Sequence, residues 1–282
     1  MRRPRITITL NPLILSKVDR LIDHKRIRNR SHAIEYLASH YFKPQVKQAV
    51  ILAGGKGTKL RPYTYEMPKA LLPIKGKPLL EHLLNQLRES GITDVIICIG
   101  YLGNKIREHF GRGEKWDMRI EYSEEKKPLS TGGALLKVKS QINPENPFLV
   151  IHGDIITDCP FQDVFDFHQK EKGIATVTLA AVHEPTDFGQ LTLHGTRLVN
   201  FYQRAPLTET KSHLVNCGIY VFEPRIFEYF PKNKGAFLLE DVIEELIANQ
   251  EINGFIFEGQ WYDVGTNSHY EKAIKEFRST QK

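Results

Sequence analysis

Gln48-Ala49-Val50-Ile51-Leu52-Ala53-Gly54-Gly55-Lys56-Gly57-Thr58-Lys59-Leu60-Arg61-Pro62 is the stretch that decides the fold. Its apolar run, 49–53, has the length of a buried strand and ends in a cluster of glycines. A glycine loop at the carboxyl end of a strand lets backbone amides close around an anion, and Lys59 and Arg61 add charge. The spacing is neither G-x-x-x-x-G-K-[ST] nor G-x-G-x-x-G, which sets aside the P-loop and the dinucleotide-binding loop. A tight turn with incidental lysines is the competing reading of these residues alone.

Outward from this stretch the same grammar repeats. Apolar runs at 95–99 and 148–151 alternate with helical patterns at 79–89, 102–110 and 161–169. That alternation predicts an α/β fold, a Rossmann-like mixed, mainly parallel sheet flanked by helices. Strand-like segments at 176–182, 191–193, 198–202 and 217–222 have less helix between them. They predict an inserted substrate-binding half.

Three charged residues stand out within this pattern. Lys69 lies in the otherwise apolar Met67-Pro-Lys-Ala-Leu-Leu-Pro-Ile74, where only a partner justifies its charge. Asp154 follows the buried strand in Val150-Ile-His-Gly-Asp-Ile155, a usual place for a metal-binding carboxylate in open α/β sheets. Trp261-Tyr-Asp-Val-Gly-Thr266 supplies a second carboxylate, Asp263. Two carboxylates beside a phosphate cradle imply Mg2+ bridging to phosphate oxygens.

Composition bounds the rest. With 282 residues, 41% of them hydrophobic and 26% charged, the chain reads as one large or two smaller globular domains. No apolar run approaches the roughly 18 residues of a bilayer helix, so no membrane partner is expected. Cys98, Cys159 and Cys217 are odd in number and far apart, which argues against a disulfide framework or zinc ribbon. The N-terminus alternates where a signal peptide has a continuous apolar stretch. The expected location is the cytoplasm.

The net charge of +6 is unevenly spread. Residues 1–48 hold 11 Lys/Arg against 3 Asp/Glu, a net +8, and the remainder carries −2. Residues 5–10 alternate as a strand, with Ile6, Ile8 and Leu10 on one face and Arg5, Thr7 and Thr9 on the other. Asn11-Pro12 and Asn29 are helix-start signals for two following helices. About 42 residues are too few for an independent core, and a lone strand is most simply completed by its twin from a second chain. The resulting ribbon fits a DNA major groove, with Arg5, Thr7 and Thr9 facing the bases. A dimerisation module whose charge is merely solvated is the alternative.

This segment resembles the ribbon-helix-helix family, with Arg5-Ile-Thr-Ile-Thr-Leu10 as the reading strand. Asn29-Arg-Ser-His-Ala-Ile34 stands where that family has S-R-S-E-x-I. The expected organisation is a strand-helix-helix dimerisation and DNA-binding domain at 1–43, a linker at 44–47 and a second domain at 48–282. Double-stranded DNA is then an expected partner, and a homodimer or higher homo-oligomer the expected assembly.

Residues 48–282 resemble the sugar-phosphate nucleotidylyltransferases. The family's G-G-x-G-T-R-L-x-P appears at 54–62, and its P-K-P-L-x-P as Pro68-Lys-Ala-Leu-Leu-Pro73. Pro128-Leu-Ser-Thr-Gly-Gly-Ala134, Val215-Asn-Cys-Gly-Ile-Tyr-Val221 and Leu239-Glu-Asp-Val242 complete the ordered set. The run looks closest to mannose- and heptose-phosphate guanylyltransferases.

The resemblance implies transfer of a nucleoside monophosphate from a nucleoside triphosphate to a sugar 1-phosphate, releasing pyrophosphate. It assigns Gly54, Gly55, Gly57, Thr58, Gly132 and Gly133 to the nucleotide. Lys59, Lys69 and Asp154 would be catalytic, Asp154 and Asp263 would hold magnesium, and Gln203, Arg204 and Asn216 would face the sugar phosphate.

Three departures leave specificity open. The signature arginine is Lys59, which loses the bidentate fork. The E-K-P sugar-phosphate element is Gln203-Arg204-Ala205, and Ser130 replaces a glycine near the expected base pocket. Two other readings compete. One is a transcription regulator whose enzyme-like body senses a nucleotide or nucleotide sugar, and the other is a cytidylyltransferase for a small phosphate ester.

Overall fold

A computed structural model describes residues 7–23, 27–41, 46–203, 209–232 and 235–278. The chain divides into two compact units, Met1–Pro44 and Gln45–Lys282.

The smaller unit contains helices α1 (Pro12–Arg20) and α2 (Arg30–Tyr41). Each has its expected cap. Asn11 Oδ1 accepts from Leu13 N at 2.8 Å and Asn29 Oδ1 accepts from His32 N at 2.9 Å, satisfying amides that a helix start leaves open. Arg30 reaches Asp19 with two hydrogen bonds, 2.7 and 2.9 Å, tying α2 to α1. The strand expected at 5–10 is not formed over residues 7–10, which belong to no helix or strand. A single chain offers that segment no ladder partner, and Arg5 lies outside the described residues.

The larger unit is a mixed α/β structure. Strands β1 (Gln48–Ala53), β4 (Asp94–Ile99), β5 (Arg119–Glu124) and β6 (Phe148–His152) alternate with helices α3 (Leu79–Glu89), α4 (Gly103–Phe110) and α5 (Ser130–Lys137). Short β2 (Pro73–Ile74) and β3 (Lys77–Pro78) pair with each other ahead of α3. After β7 (Ile155–Thr157) and α6 (Phe161–Glu171) come β8 (Ala175–Ala181), β9 (Gln190–His194), β10 (Arg197–Tyr202) and β11 (Leu214–Phe222). Helix α7 (Leu239–Ala248), β12 (Ile252–Ile256), β13 (Trp261–Asp263) and α8 (Asn267–Glu276) finish the unit.

Nine strands form the main sheet, in the order β5-β4-β1-β6-β11-β8-β12-β10-β9. The β5-β4-β1-β6 half is parallel, and β11 runs antiparallel to β6. The sheet is mixed, as the sequence pattern predicts, but not mainly parallel, because the later strands β8–β12 bring five antiparallel pairings against four parallel ones in all. Strand β7 leaves it to pair with β13, which brings residues 155 and 263 into register.

Period-two side chains sort the core into two layers. Ala49 and Ile51 pack on one face of β1 with Val95, Ile97 and Leu149 from its neighbours. Val50 faces the other side with Ile96, Cys98 and Val150. Fully burying such aliphatic side chains stabilises by about 1.5–3 kcal/mol each. A third cluster, including Leu60, Leu72, Ile156, Val264 and Tyr270, lies under the segments that carry the charged residues. Those segments are therefore anchored by apolar neighbours. No helix among the described residues is long and apolar enough to cross a membrane.

Candidate active site

The glycine loop leaves β1 at the carboxyl edge of the parallel half, where ligand-binding crevices of open α/β sheets lie. Gly57 has a φ of 63°, and a Cβ there would come within 2.9 Å of Thr64 Cγ2, so both backbone and space require glycine. Thr64 Oγ1 in turn donates to Gly57 O at 2.7 Å. Leu60, fully buried, pins the turn that follows, while Thr58 and Lys59 remain exposed.

Lys69 and Asp154 meet. The Lys69 Nζ lies 2.6 Å from Asp154 Oδ2, with side-chain exposures of 18% and 26%. A short turn from β6 to β7 carries Asp154, and Gly153 N donates to Leu52 O at 2.9 Å to hold that turn against β1. Val264 N donates to Asp154 O at 2.8 Å, fastening the same turn to the end of β13. Asp263 is the last residue of β13, opposite Ile155.

The electrostatics follow from this crowding. Burial disfavours the ionised Asp154, but the ammonium of Lys69 and its hydrogen bond hold the carboxyl below its ordinary value. Burial also works against the Lys69 ammonium, and Asp154 with Asp263 overcomes it, raising Lys69. Asp263 is pushed up to about 7, first by burial and then by the Asp154 charge, with Lys69 and Lys59 pulling the other way. These are two carboxylates that cannot both ionise comfortably without a cation.

Two cavities meet here. The larger, about 480 Å³, is lined by Gly54, Gly55, Lys69, Glu125, Ser130 and Asp154 among others. The smaller, about 150 Å³, includes Gln203, Asn216, Glu240 and Asp263. His152 lines both. One aspartate therefore lines each cavity, Lys69 and Asp154 the larger and Asp263 the smaller, with His152 common to both.

Asn216 is aimed by a bulge in β11, whose register against β8 slips between Asn216 and Tyr220. Gly218 within it has a φ of 68°. Asn216 Nδ2 donates to Tyr220 Oη at 2.7 Å, and its Oδ1 accepts from Gly218 N at 2.9 Å. Both ends of the amide are thus oriented by the protein. Arg204 lies outside the described residues.

Gly132 and Gly133 depart from the expectation placed on them. They are buried, and their amides donate to Phe237 O at 3.0 and 3.3 Å instead of facing the cleft. A Cβ on Gly132 would strike the Phe237 ring at 2.4 Å. The physical reason is that α5 packs against the segment leading into α7, and only glycine permits that approach. Ser130 and Thr131 of the same motif do line the larger cavity.

Sequence reasoning passed over Glu125 and Glu240. Glu240 lines the smaller cavity and accepts from Thr131 Oγ1 at 3.3 Å. Ser130 has a φ of 60°, a conformation that costs a non-glycine residue about 1–2 kcal/mol. Ser130→Gly is expected to stabilise the protein by about 0.5–1 kcal/mol, the strain relief being partly offset by unfolded-state entropy. Urea unfolding of the two proteins measures this, and an unchanged or lower midpoint would contradict it.

Comparison with known proteins bears on residues 48–280. The family model described as Nucleotidyl transferase matches residues 48–280. A mannose-1-phosphate guanylyltransferase of Mycobacterium tuberculosis is 33% identical over 228 residues, covering 80% of this chain and 63% of that protein. The bifunctional protein GlmU of Methanococcus maripaludis is 32% identical over 238 residues, covering 80% and 55%. The chain thus spans 55–63% of the length of these curated relatives. Among solved structures, a putative glucose-1-phosphate thymidylyltransferase of Bacillus anthracis superposes with a TM-score of 0.75 at 24% identity. That superposition covers 83% of this chain and 97% of the other, and it shows the same fold. The family match begins at residue 48 and does not extend to the N-terminal unit.

Proposed function

Since the chain belongs to the nucleotidyl transferase family, we propose that it transfers a nucleoside monophosphate from a nucleoside triphosphate to a sugar 1-phosphate. Pyrophosphate is released and a nucleotide sugar is formed. The observation that carries this reading is the cluster of Lys69, Asp154 and Asp263, of which Lys69 and Asp154 line the larger cavity and Asp263 the smaller. A triphosphate in the larger cavity and a sugar phosphate in the smaller would meet there.

The chemistry asks little of acid–base groups. A phosphate oxygen of the sugar 1-phosphate attacks the α-phosphorus, the bond to the β-phosphate breaks, and pyrophosphate leaves. The nucleophile is already an anion, so the protein's tasks are alignment and charge neutralisation. Lys69, held cationic by its aspartates, supplies positive charge at this cluster. Gly54 and Gly55, which line the larger cavity, would cradle the triphosphate, with Gly57, Thr58 and Lys59 following in the same loop. Gln203, Arg204 and Asn216 would face the sugar phosphate.

The donor set also fits magnesium. Asp154 and Asp263 are hard oxygen ligands crowded enough to raise one of them to about 7. Among the described residues no group of three or more His, Cys, Asp or Glu gathers. Two carboxylates, with substrate phosphates and water completing the shell, is the usual protein share for this ion. When bound there, magnesium would neutralise phosphate charge.

Pyrophosphate release across a panel of nucleoside triphosphates and sugar 1-phosphates tests the reading. Turnover of at least one pair is expected. Tight nucleotide binding with no turnover of any pair would favour a sensor instead.

For the N-terminal unit a specific observation favours a second role. Ile8, Leu13, Ile14 and Leu37 are exposed, while Val18 and Ala33 are the buried apolar side chains described there. Such exposed apolar side chains on a unit with 10 Lys/Arg against 3 Asp/Glu, a net +7, fit a module completed by a second copy and bound to DNA. The full-length protein is expected to bind duplex DNA with strong salt sensitivity, and Thr7→Ala/Thr9→Ala to weaken it at least several-fold. Equal binding by the double variant in a fluorescence-anisotropy titration would overturn base reading by this segment.

A further inference from the structure

We propose that His269, on the first turn of α8, is a positioning residue that fixes the wall of the sugar-phosphate cavity by clasping Phe188. This deepens the proposed function and rests on the smaller cavity being the sugar-phosphate site.

The wall is a loop. Residues 182–189 connect β8 to β9, and Asp187, Phe188 and Gly189 line the smaller cavity. Backbone bonds tie its two ends to the β11 segment: Val182 N donates to His213 O at 2.9 Å, and Asn216 N donates to Gly189 O at 3.0 Å. Between them Phe188 N closes a turn onto Pro185 O at 3.0 Å. A site wall built on a loop holds its geometry less precisely than one built on a helix or strand, so it needs a side-chain anchor.

The anchor comes from α8. Thr266 caps this helix, its Oγ1 accepting from His269 N at 3.3 Å, which sets His269 in the first turn. The imidazole lies nearly parallel to the Phe188 ring, with centroids 5.5 Å apart and an interplanar angle of 18°. Trp261 of β13 meets the same ring edge-on at 5.1 Å. Phe188 is thereby gripped by two side chains from either side of Asp263 in the chain. Trp261 is fixed in turn, its Nε1 donating at 3.0 Å to Cys217 O in the bulge that aims Asn216.

The same turn also reaches the glycine loop. Asn267 Nδ2 donates to Arg61 O at 3.2 Å, two residues before His269. Neighbouring residues of one helical turn thus serve the two cavities separately, Asn267 through the glycine loop and His269 through the loop at 182–189.

Two contacts join His269 to its loop, and their surroundings rank them. Its Nε2 lies 3.6 Å from Asp187 Oδ2, but the Asp187 side chain is 64% exposed, so water and salt screen that pair. The ring stack is better shielded, since His269 and Phe188 are both half-buried. Stacking, and not charge, therefore carries the positioning.

Calorimetric titration of the full-length protein tests this without requiring turnover. The probes are ADP-glucose, CDP-glucose, GDP-mannose, UDP-glucose and dTDP-glucose, each beside its own nucleoside diphosphate. His269→Ala should weaken the best-bound nucleotide sugar about 5-fold, the loss of roughly one aromatic pair, and leave its diphosphate within about two-fold. His269→Gln, which keeps hydrogen-bonding capacity without a ring, should behave alike. His269→Phe and Asp187→Asn, which keep the stack and drop the ion pair, should stay within about two-fold of wild type for both ligands. Asn267→Ala should shift diphosphate and nucleotide sugar together. Equal losses for both ligands in His269→Ala and His269→Gln, a His269→Phe as weak as His269→Ala, or a wild type that binds none of these nucleotide sugars would overturn the proposal. Binding that depends on the ring at 269, without turnover of any substrate pair, would uphold the clasp and defeat the proposed reaction. Turnover with unaltered nucleotide-sugar binding by His269→Ala would do the reverse.

Discussion

Asp154→Asn is expected to lower turnover by about 10³-fold, because it removes charge from the side chain that both holds Lys69 and lines the larger cavity. Loss of a single group that stabilises developing charge typically costs 10²–10³. Here the same change also leaves Lys69, 2.6 Å from Asp154, with a neutral acceptor in place of a charged one. Lys69→Met should fall in the same range. The double variant should lose little more than the worse single one, since groups acting as a unit are not additive. The stability cost should stay below about 3 kcal/mol, less than for a fully buried pair, because both side chains keep solvent contact and the amide oxygen can still accept from Lys69. Steady-state turnover at saturating substrates and urea unfolding measure the two effects. A variant retaining more than a tenth of wild-type turnover would contradict the role given to Asp154.

Asp263→Asn is expected to act in opposite directions on function and stability. Its carboxyl is raised from 3.8 to about 7 by burial and by Asp154. The folded state therefore holds this proton more tightly than the unfolded chain does. The stability so conferred is complete below about pH 4 and is lost progressively as pH rises towards 7. Asparagine mimics the protonated form at every pH. The variant should melt at the wild-type temperature near pH 4 and above it at pH 8, while turnover falls about 10²–10³-fold for want of a metal ligand. Millimolar magnesium should raise the melting temperature of the wild type at pH 8 and leave the variant unmoved. A variant less stable than wild type at pH 8 without magnesium would mean that the two carboxylates do not oppose one another.

The parallel half of the sheet was legible because β1, β4 and β6 are buried on both faces and read as continuous apolar runs. Strand β5 was not. It lies at the sheet edge with Arg119, Glu121 and Glu124 exposed, so Ile120 and the half-buried Tyr122 are its apolar contribution to the core. With β5 unseen, nothing placed Glu125 in the cleft. Lys69 and Asp154 were legible as charges in apolar surroundings, but their contact spans 85 residues of sequence and needs the sheet to form.

The glycines taught a different lesson. Gly57 needs its left-handed φ in the loop itself, whereas Gly132 and Gly133 serve the packing of α5 on the segment before α7. A glycine motif signals close approach without saying what approaches. The same holds for Ser130, whose positive φ sits where the resembling family carries glycine. In the N-terminal unit the helix caps were local and legible, while a strand that requires a second chain cannot be formed by one.

Label transfer from the α-phosphate tests the central claim most directly. The wild type would be incubated with magnesium, mannose and glucose 1-phosphates, and each of five nucleoside triphosphates labelled at the α-phosphorus. With at least one pair, the label should appear in a nucleotide sugar while unlabelled pyrophosphate accumulates in equal amount. Label released only as free nucleoside monophosphate, or left in the triphosphate with every pair, would contradict the account.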